Sequence, residues 1–252
     1  MGTTERRERE RTELRQAILD AARELFATRG YEAVTMREIA KRIEYSPTAL
    51  YGYFADKETL VRELCRQDFA SFAQRFVTEV AGVGQEPGKS PAAGAIERMC
   101  RAGYVYLAFA EEYPQHYRLM FMTEMPPTPP EEGEREDPAV NAYVFLRGLV
   151  GDLMANDALR PELTDADLIA QSIWAGVHGA AGLELLTVRS GQWLDFRPRE
   201  QRFFAALEMI ARNIARDPDA AVATLSRVRD EVSGGAPASR AKPRGVSGKA
   251  GT

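Results

Sequence analysis

The chain has 252 residues, 44% apolar and 28% charged, with a formal net charge of −4. These values are ordinary for a soluble globular protein with ample sequence for one large domain or two modest ones. The acidic total does not announce a nucleic-acid binder, so any DNA contact must rest on a local arrangement of residues, because a patch sets the field near a phosphate.

The N-terminal run from Met1 to Arg11 alternates Arg and Glu with no apolar stretch, which excludes a signal peptide. The longest nearly apolar run, Ile173 to Leu183, is too short to span a bilayer and contains His178. The two cysteines, Cys65 and Cys100, have neither metal-ligand spacing nor a disulfide framework and read as ordinary thiols of a cytoplasmic chain. No membrane partner is expected.

Helical periodicity dominates and strand-like alternation is nearly absent. The first strong segment, Glu13 to Arg29, places Leu14, Ile18, Ala21, Ala22, Leu25 and Phe26 on one stripe, and Gly30 stops it. Thr35 opens a short helix through Ile43, with Glu38 three positions on for a capping box. Ser46 caps a third helix with Pro47 at its first position. Asp56 caps a fourth from Lys57 to Val80, followed by a Gly/Pro-rich connection from Gly82 to Pro91. Further helices are predicted over Ala92–Glu111, Pro114–Met122, Ala139–Ala155, Asp165–Arg189 and Pro198–Ala215. The loop Thr123–Pro138 is too rich in proline and acid for regular structure. The predicted fold class is all-α with about nine helices. It divides into a flexible charged arm (1–10), a three-helix helix-turn-helix domain (11–60), a larger helical ligand-binding and dimerisation domain (61–217) and a largely disordered tail (218–252).

The segment Val34 to Lys57, VTMREIAKRIEYSPTALYGYFADK, carries the most information. A short helix, a tight turn and a second short helix can place the second helix in the major groove of DNA. Ile39, Ala40, Ile43, Tyr45, Leu50 and Phe54 are spaced to bury against Phe26. Arg37, Lys41, Ser46, Thr48, Ala49, Tyr51, Tyr53 and Lys57 then face outward. An arginine can fork onto a guanine edge and an alanine can touch a thymine methyl. Hydroxyls, a lysine and the helix N-termini at Thr35 and Ser46 can hold phosphates.

The order Gly-Tyr, Thr, Ile-Ala, Ser-Pro, Leu-Tyr-x-Tyr-Phe, Asp-Lys resembles the DNA-binding domain of the tetracycline-repressor (TetR) family over Arg11 to Leu60. The run Leu50 to Lys57 is its most specific part. The resemblance implies phosphate contacts from Thr35, Ser46, Tyr53 and Lys57, and base readout from Arg37, Pro47, Thr48, Ala49 and Tyr51. It also implies a homodimer on a palindromic operator in double-stranded DNA, repression by occlusion, and release by a small effector. The chain departs from the family at Glu44, where glycine is usual. A positive φ there would cost glutamate about 1 kcal/mol, and a different turn would avoid it.

A second resemblance covers Ala92 to Arg212. Trp174–Ala175–Gly176–Val177–His178–Gly179 is similar to the Trp-x-x-x-His-Gly signature of the WHG class of TetR C-terminal domains, as is the run Tyr117 to Phe121. Gly176, Gly179, Ala180 and Gly182 bare one helix for close approach by another, and with Phe203, Phe204, Leu207, Ile210 and Ile214 suggest a four-helix bundle across a two-fold axis. Trp174 and His178 share a face. His178 reads either as a ligand or titration group or as a satisfied core histidine. Met99, Tyr104, Tyr113, Met120, Phe121 and Tyr143 fit either a core or a cavity for a flat or hydrophobic effector. No glycine-rich phosphate loop, nucleophile–base pair or metal-spaced cluster appears. An enzyme and a cofactor are therefore not expected, and a helical scaffold without DNA binding is the alternative.

Overall fold

A computed structural model describes residues 3–126, 132–187 and 196–234. Ten α-helices form among them, α1 (Thr3–Arg29), α2 (Met36–Arg42), α3 (Pro47–Tyr51), α4 (Lys57–Val80), α5 (Pro91–Glu112), α6 (Pro114–Met122), α7 (Ala142–Ala155), α8 (Ala166–Thr187), α9 (Arg199–Ile214) and α10 (Pro218–Gly234). Among the described residues, one 3-10 turn, Glu132–Glu134, precedes α7. The described residues form no strand, only one bridge between Leu159 and Ala215.

Two sequence-based expectations are corrected. Residues 1–10 are not a flexible arm throughout, because α1 is helical from Thr3. Arg and Glu four apart support the turn there, as in Arg6–Glu10 at 2.7 Å. Residues 218–252 are not a disordered tail throughout, because α10 occupies the first half of that segment. Ala221, Leu225 and Val228 recur at helical spacing and are buried, and α10 packs on α5 and α9. The buried carboxylate of Glu97 on α5 accepts from Arg227 of α10 at 3.2 Å and also pairs with Lys89. The expectation for 235–252 lies outside the described residues.

The apolar residues form two cores. One gathers Ile18, Leu19, Ala22 and Phe26 of α1 with Ile39, Ala40, Leu50 and Phe54, and takes Leu60, Val61, Leu64 and Cys65 from the start of α4. The other gathers Phe72, Phe76 and Val80 from the rest of α4 with α5, α7, α8, α9 and α10. Leu119 of α6 lies in the first core while its neighbour Tyr117 lies in the second. Two helices, α4 and α6, are therefore built into both cores.

Candidate DNA-binding surface and ligand cavity

Local hydrogen bonds fix the helix-turn-helix. Thr35 caps α2, its hydroxyl accepting from Glu38 N–H at 3.3 Å while Thr35 N–H donates to Glu38 Oε2 at 2.8 Å. Hydrogen bonds from Arg29, then from the Thr35 backbone, hold the Glu38 carboxyl at about 2, well below the usual carboxylate range. At the other end, Tyr45 N–H reaches Ala40 O at 2.9 Å and Glu44 N–H reaches Lys41 O at 3.2 Å. This is a Schellman termination with Glu44 in the left-handed region at φ 61°. The turn thus keeps the geometry that favours glycine. Ser46 caps α3, its Oγ accepting from Ala49 N–H at 3.2 Å. Asp56 caps α4 by accepting from Thr59 N–H at 2.6 Å, which holds its carboxyl below the ordinary value.

These caps set out a polar face. Thr35, Arg37, Lys41, Ser46, Thr48 and Tyr51 are exposed, and Pro47, Ala49 and Tyr53 are half-buried. Neighbouring cations are neutralised within the domain: Arg29 pairs with Glu38 and Arg42 with Glu24, both at 2.8 Å. Arg37 and Lys41 have no ion pair among the described residues. Two sequence-based placements change. Tyr45 is 49% exposed rather than buried, because it follows the reversal at Glu44 and lies beyond the reach of the core. Lys57 does not stand outward. Its ammonium donates to Tyr31 O at 2.8 Å and Val34 O at 3.0 Å and lies 3.8 Å from the centre of the Tyr31 ring. It ties the start of α4 to the segment that leads into α2.

The second core encloses a cavity of about 350 Å³. Phe69, Phe72 and Phe76 of α4 line one wall and Tyr106 of α5 another, with Phe121, Phe145, Leu207 and Ile210 around them. Of the residues that fit either a core or a cavity, Met99, Phe121, Tyr143 and Trp174 line it, whereas Tyr104, Tyr113, Met120 and His178 do not. Tyr104 packs its ring on Phe203 at 6.1 Å, and burial raises its hydroxyl pKa. Tyr113 is 44% exposed at the α5–α6 junction. Met120 packs against the second core.

His178 sits behind the wall. The Tyr117 hydroxyl is 2.7 Å and the Tyr106 hydroxyl 3.0 Å from His178 Nδ1, and Trp174 Nε1–H donates to the Tyr106 oxygen at 3.3 Å. Burial lowers the pKa of His178, which favours the neutral ring among these hydroxyls. Burial pushes the Tyr106 hydroxyl up to about 12. The Trp and His of the signature therefore meet two tyrosines of α5 and α6. The α4 phenylalanines recur every three or four residues, a signal visible in sequence but equally that of plain core. Close helix approach is internal at Gly176, where a β-carbon would stand 2.9 Å from Ile210 Cδ1 of α9, while Gly179 faces open space. The described residues include no cluster of three groups able to hold a metal ion.

The comparisons agree with this arrangement. A family model described as bacterial regulatory proteins, tetR family, matches residues 18–64, and one described as tetracyclin repressor-like, C-terminal domain, matches residues 97–210. The transcriptional repressor AcnR of Corynebacterium diphtheriae is 42% identical over 60 residues, covering 24% of this chain and 32% of that protein. The transcriptional regulator UidR of Escherichia coli K12 is 36% identical over 69 residues, covering 27% of this chain and 35% of that protein. The chain thus spans about a third of the length of these relatives. Among solved structures, the putative regulatory protein SCO4313 superimposes with a TM-score of 0.57 at 28% identity, covering 81% of this chain and 97% of that one. A TetR-family regulator from Haemophilus influenzae shares the fold with a TM-score of 0.61 at 15% identity, covering 82% and 99%. With its helix-turn-helix and its second helical domain both matched, the chain belongs to the tetR family of bacterial regulatory proteins.

Proposed function

We propose that the protein is a cytoplasmic homodimeric repressor that binds a palindromic operator and is released by a small hydrophobic effector. One observation carries this reading: α4 starts at the helix-turn-helix and lines the cavity with Phe69, Phe72 and Phe76. A molecule that displaces those rings acts on a rod whose first turns belong to the DNA-binding core. The repressor role is supported by the similarity over 60 residues to AcnR, a transcriptional repressor. No described helix is long and apolar enough to cross a membrane.

Thr35, Ser46 and Tyr53 hold phosphates in this reading, and Arg37, Pro47, Thr48, Ala49 and Tyr51 meet base edges. The dimer forms on the exposed stripe Leu168, Ser172, Ala175, Gly179 and Leu183 of α8, with Ala205 and Met209 of α9 beside it. Phe203 and Leu207, by contrast, face their own core. The two recognition helices then lie roughly 34–36 Å apart, one turn of DNA.

Site selection from random DNA should return a palindrome bound with strong salt dependence, and sedimentation at micromolar concentration should give the dimer mass. Effector affinity measured with and without saturating operator should differ by about 1–3 kcal/mol, and the operator's affinity must change by the same factor. Equal effector affinities would rule out release by that molecule. A helical scaffold would select no DNA site.

A further inference from the structure

The cavity has a direction. Arg62 and Arg66 line it from the first turns of α4, beside Glu134, while Leu153, Ile214 and Leu225 line it from the ends of α7 and α9 and from α10 with no hydrogen-bonding side chain. The α4 stripe between Arg62 and Phe76 runs ~20 Å at 1.5 Å per residue. Arg62, Arg66, Phe69, Phe72 and Phe76 all line the cavity, so it is drawn out along this stripe, a shape that suits a single extended chain.

The middle of the wall offers little to a polar ligand, because its polar groups are already bonded. Tyr106 receives from Trp174, and the Tyr143 hydroxyl donates to Asp167 at 2.7 Å. Burial raises the Cys100 thiol to about 12, so it stays neutral. At the charged end the balance differs. Arg62 donates to Glu58 at 3.0 Å, and a guanidinium has five N–H groups to offer. Arg66 holds Glu63 at 3.2 Å and Glu134 at 3.4 Å, long contacts that a better-placed anion can replace.

We infer that the effector is a single-chain amphiphile with an anionic head, the head at Arg62 and Arg66 and the chain along Phe69, Phe72 and Phe76 toward Leu225. This inference rests on the effector-release reading above and names the class of molecule. Carboxylate and phosphate-ester heads share the chemistry that two arginines recognise.

The test uses the purified full chain in calorimetric titration and thermal-shift assays. The probes are saturated straight-chain carboxylates from octanoate to stearate, alkyl phosphates of the same lengths, and the matching primary amides. Affinity should rise with chain length to an optimum, and amides should bind about tenfold or more weakly than the anions of equal length. The ranking of carboxylate against phosphate identifies the head. Arg62→Gln with Arg66→Gln, both at exposed positions, should bring anion and amide to nearly equal affinity while leaving the amide unchanged. Ala221→Leu, at the apolar end, should move the optimum to shorter chains. A polycyclic aromatic carboxylate that binds more tightly than every straight chain would overturn the inference and leave effector release standing. Absence of binding by all straight chains would overturn it as well. Chains that bind as expected yet leave operator affinity unchanged would sustain the site and overturn release.

Discussion

Arg23 of α1 and Asp68 of α4 meet as a two-pronged buried ion pair. Arg23 Nε and Nη2 donate to Asp68 Oδ1 at 3.1 and 2.8 Å, with side chains 8% and 1% exposed. Burial alone would lower the Arg23 pKa, and the bonds to Asp68 and Asp20 raise it instead. His116 of α6 places Nδ1 3.1 Å from the same Asp68 oxygen. Three helices from both cores thus converge on one carboxylate. Asp68→Asn keeps the shape and removes the charge, leaving a buried guanidinium with only the exposed Asp20 as counter-ion. It should cost about 3–5 kcal/mol in urea unfolding, whereas replacing both partners with leucine and methionine should cost less. A loss under about 1 kcal/mol for Asp68→Asn would show that the pair is solvated.

Arg37 and Lys57, one exposed and one bonded to backbone carbonyls, should behave differently. Arg37→Ala should weaken binding to the selected site by about 1–3 kcal/mol and relax preference at one base pair, with stability unchanged. Lys57→Met removes two bonds to backbone carbonyls, so it should lower the thermal midpoint and weaken all sequences alike. The slope of log affinity against log salt discriminates. It should be unchanged in Lys57→Met, and a fall of about one would mean a phosphate contact instead.

Glu44 occupies a left-handed turn at φ 61° that an L side chain tolerates poorly. Glu44→Gly should stabilise the protein by about 1 kcal/mol by thermal or urea unfolding, because the cost of a β-carbon there disappears. A loss of stability would mean that restriction of the unfolded chain by glutamate outweighs the strain.

His178 gives the protein an acid limb. Its folded pKa is lowered by burial, so below neutrality the unfolded chain binds the proton more readily than the folded one. Its contribution is fully present above the unfolded histidine value of about 6.5 and is lost as pH falls through the lowered folded value. The thermal midpoint should therefore drop from pH 7 toward pH 5, and His178→Gln should flatten that drop. Equal slopes in both proteins would place the acid sensitivity elsewhere.

The helix-turn-helix was legible because its signals are local. Thr35 with Glu38, Ser46 before Pro47, and Asp56 each cap a helix within three residues, as the structure shows. The cavity was only half legible because apolar periodicity marks a buried face without saying whether that face meets side chains or space. Tyr104 and Tyr106 show the difficulty. They lie two residues apart on α5, on nearly opposite faces, and only packing against α9 decides which one faces the cavity. Tyr45 and Lys57 were misplaced for a related reason. Spacing gives the side of a helix but not the path of the chain between helices, and that path, through Glu44 and Tyr31, sends one outward and draws the other in.

Leu119 bears on how such a regulator diversifies. It is carried by α6, after the first domain's own stretch of chain, yet it is 1% exposed within that domain's core. A recombination event that swapped only the N-terminal segment would pair a foreign core with this leucine and leave a mismatch at the junction. Point changes on α2 and α3 meet no such obstacle, because their exposed positions touch neither core. The exposed surface of the helix-turn-helix is therefore open to stepwise drift, whereas wholesale exchange of that domain requires a matching change in α6.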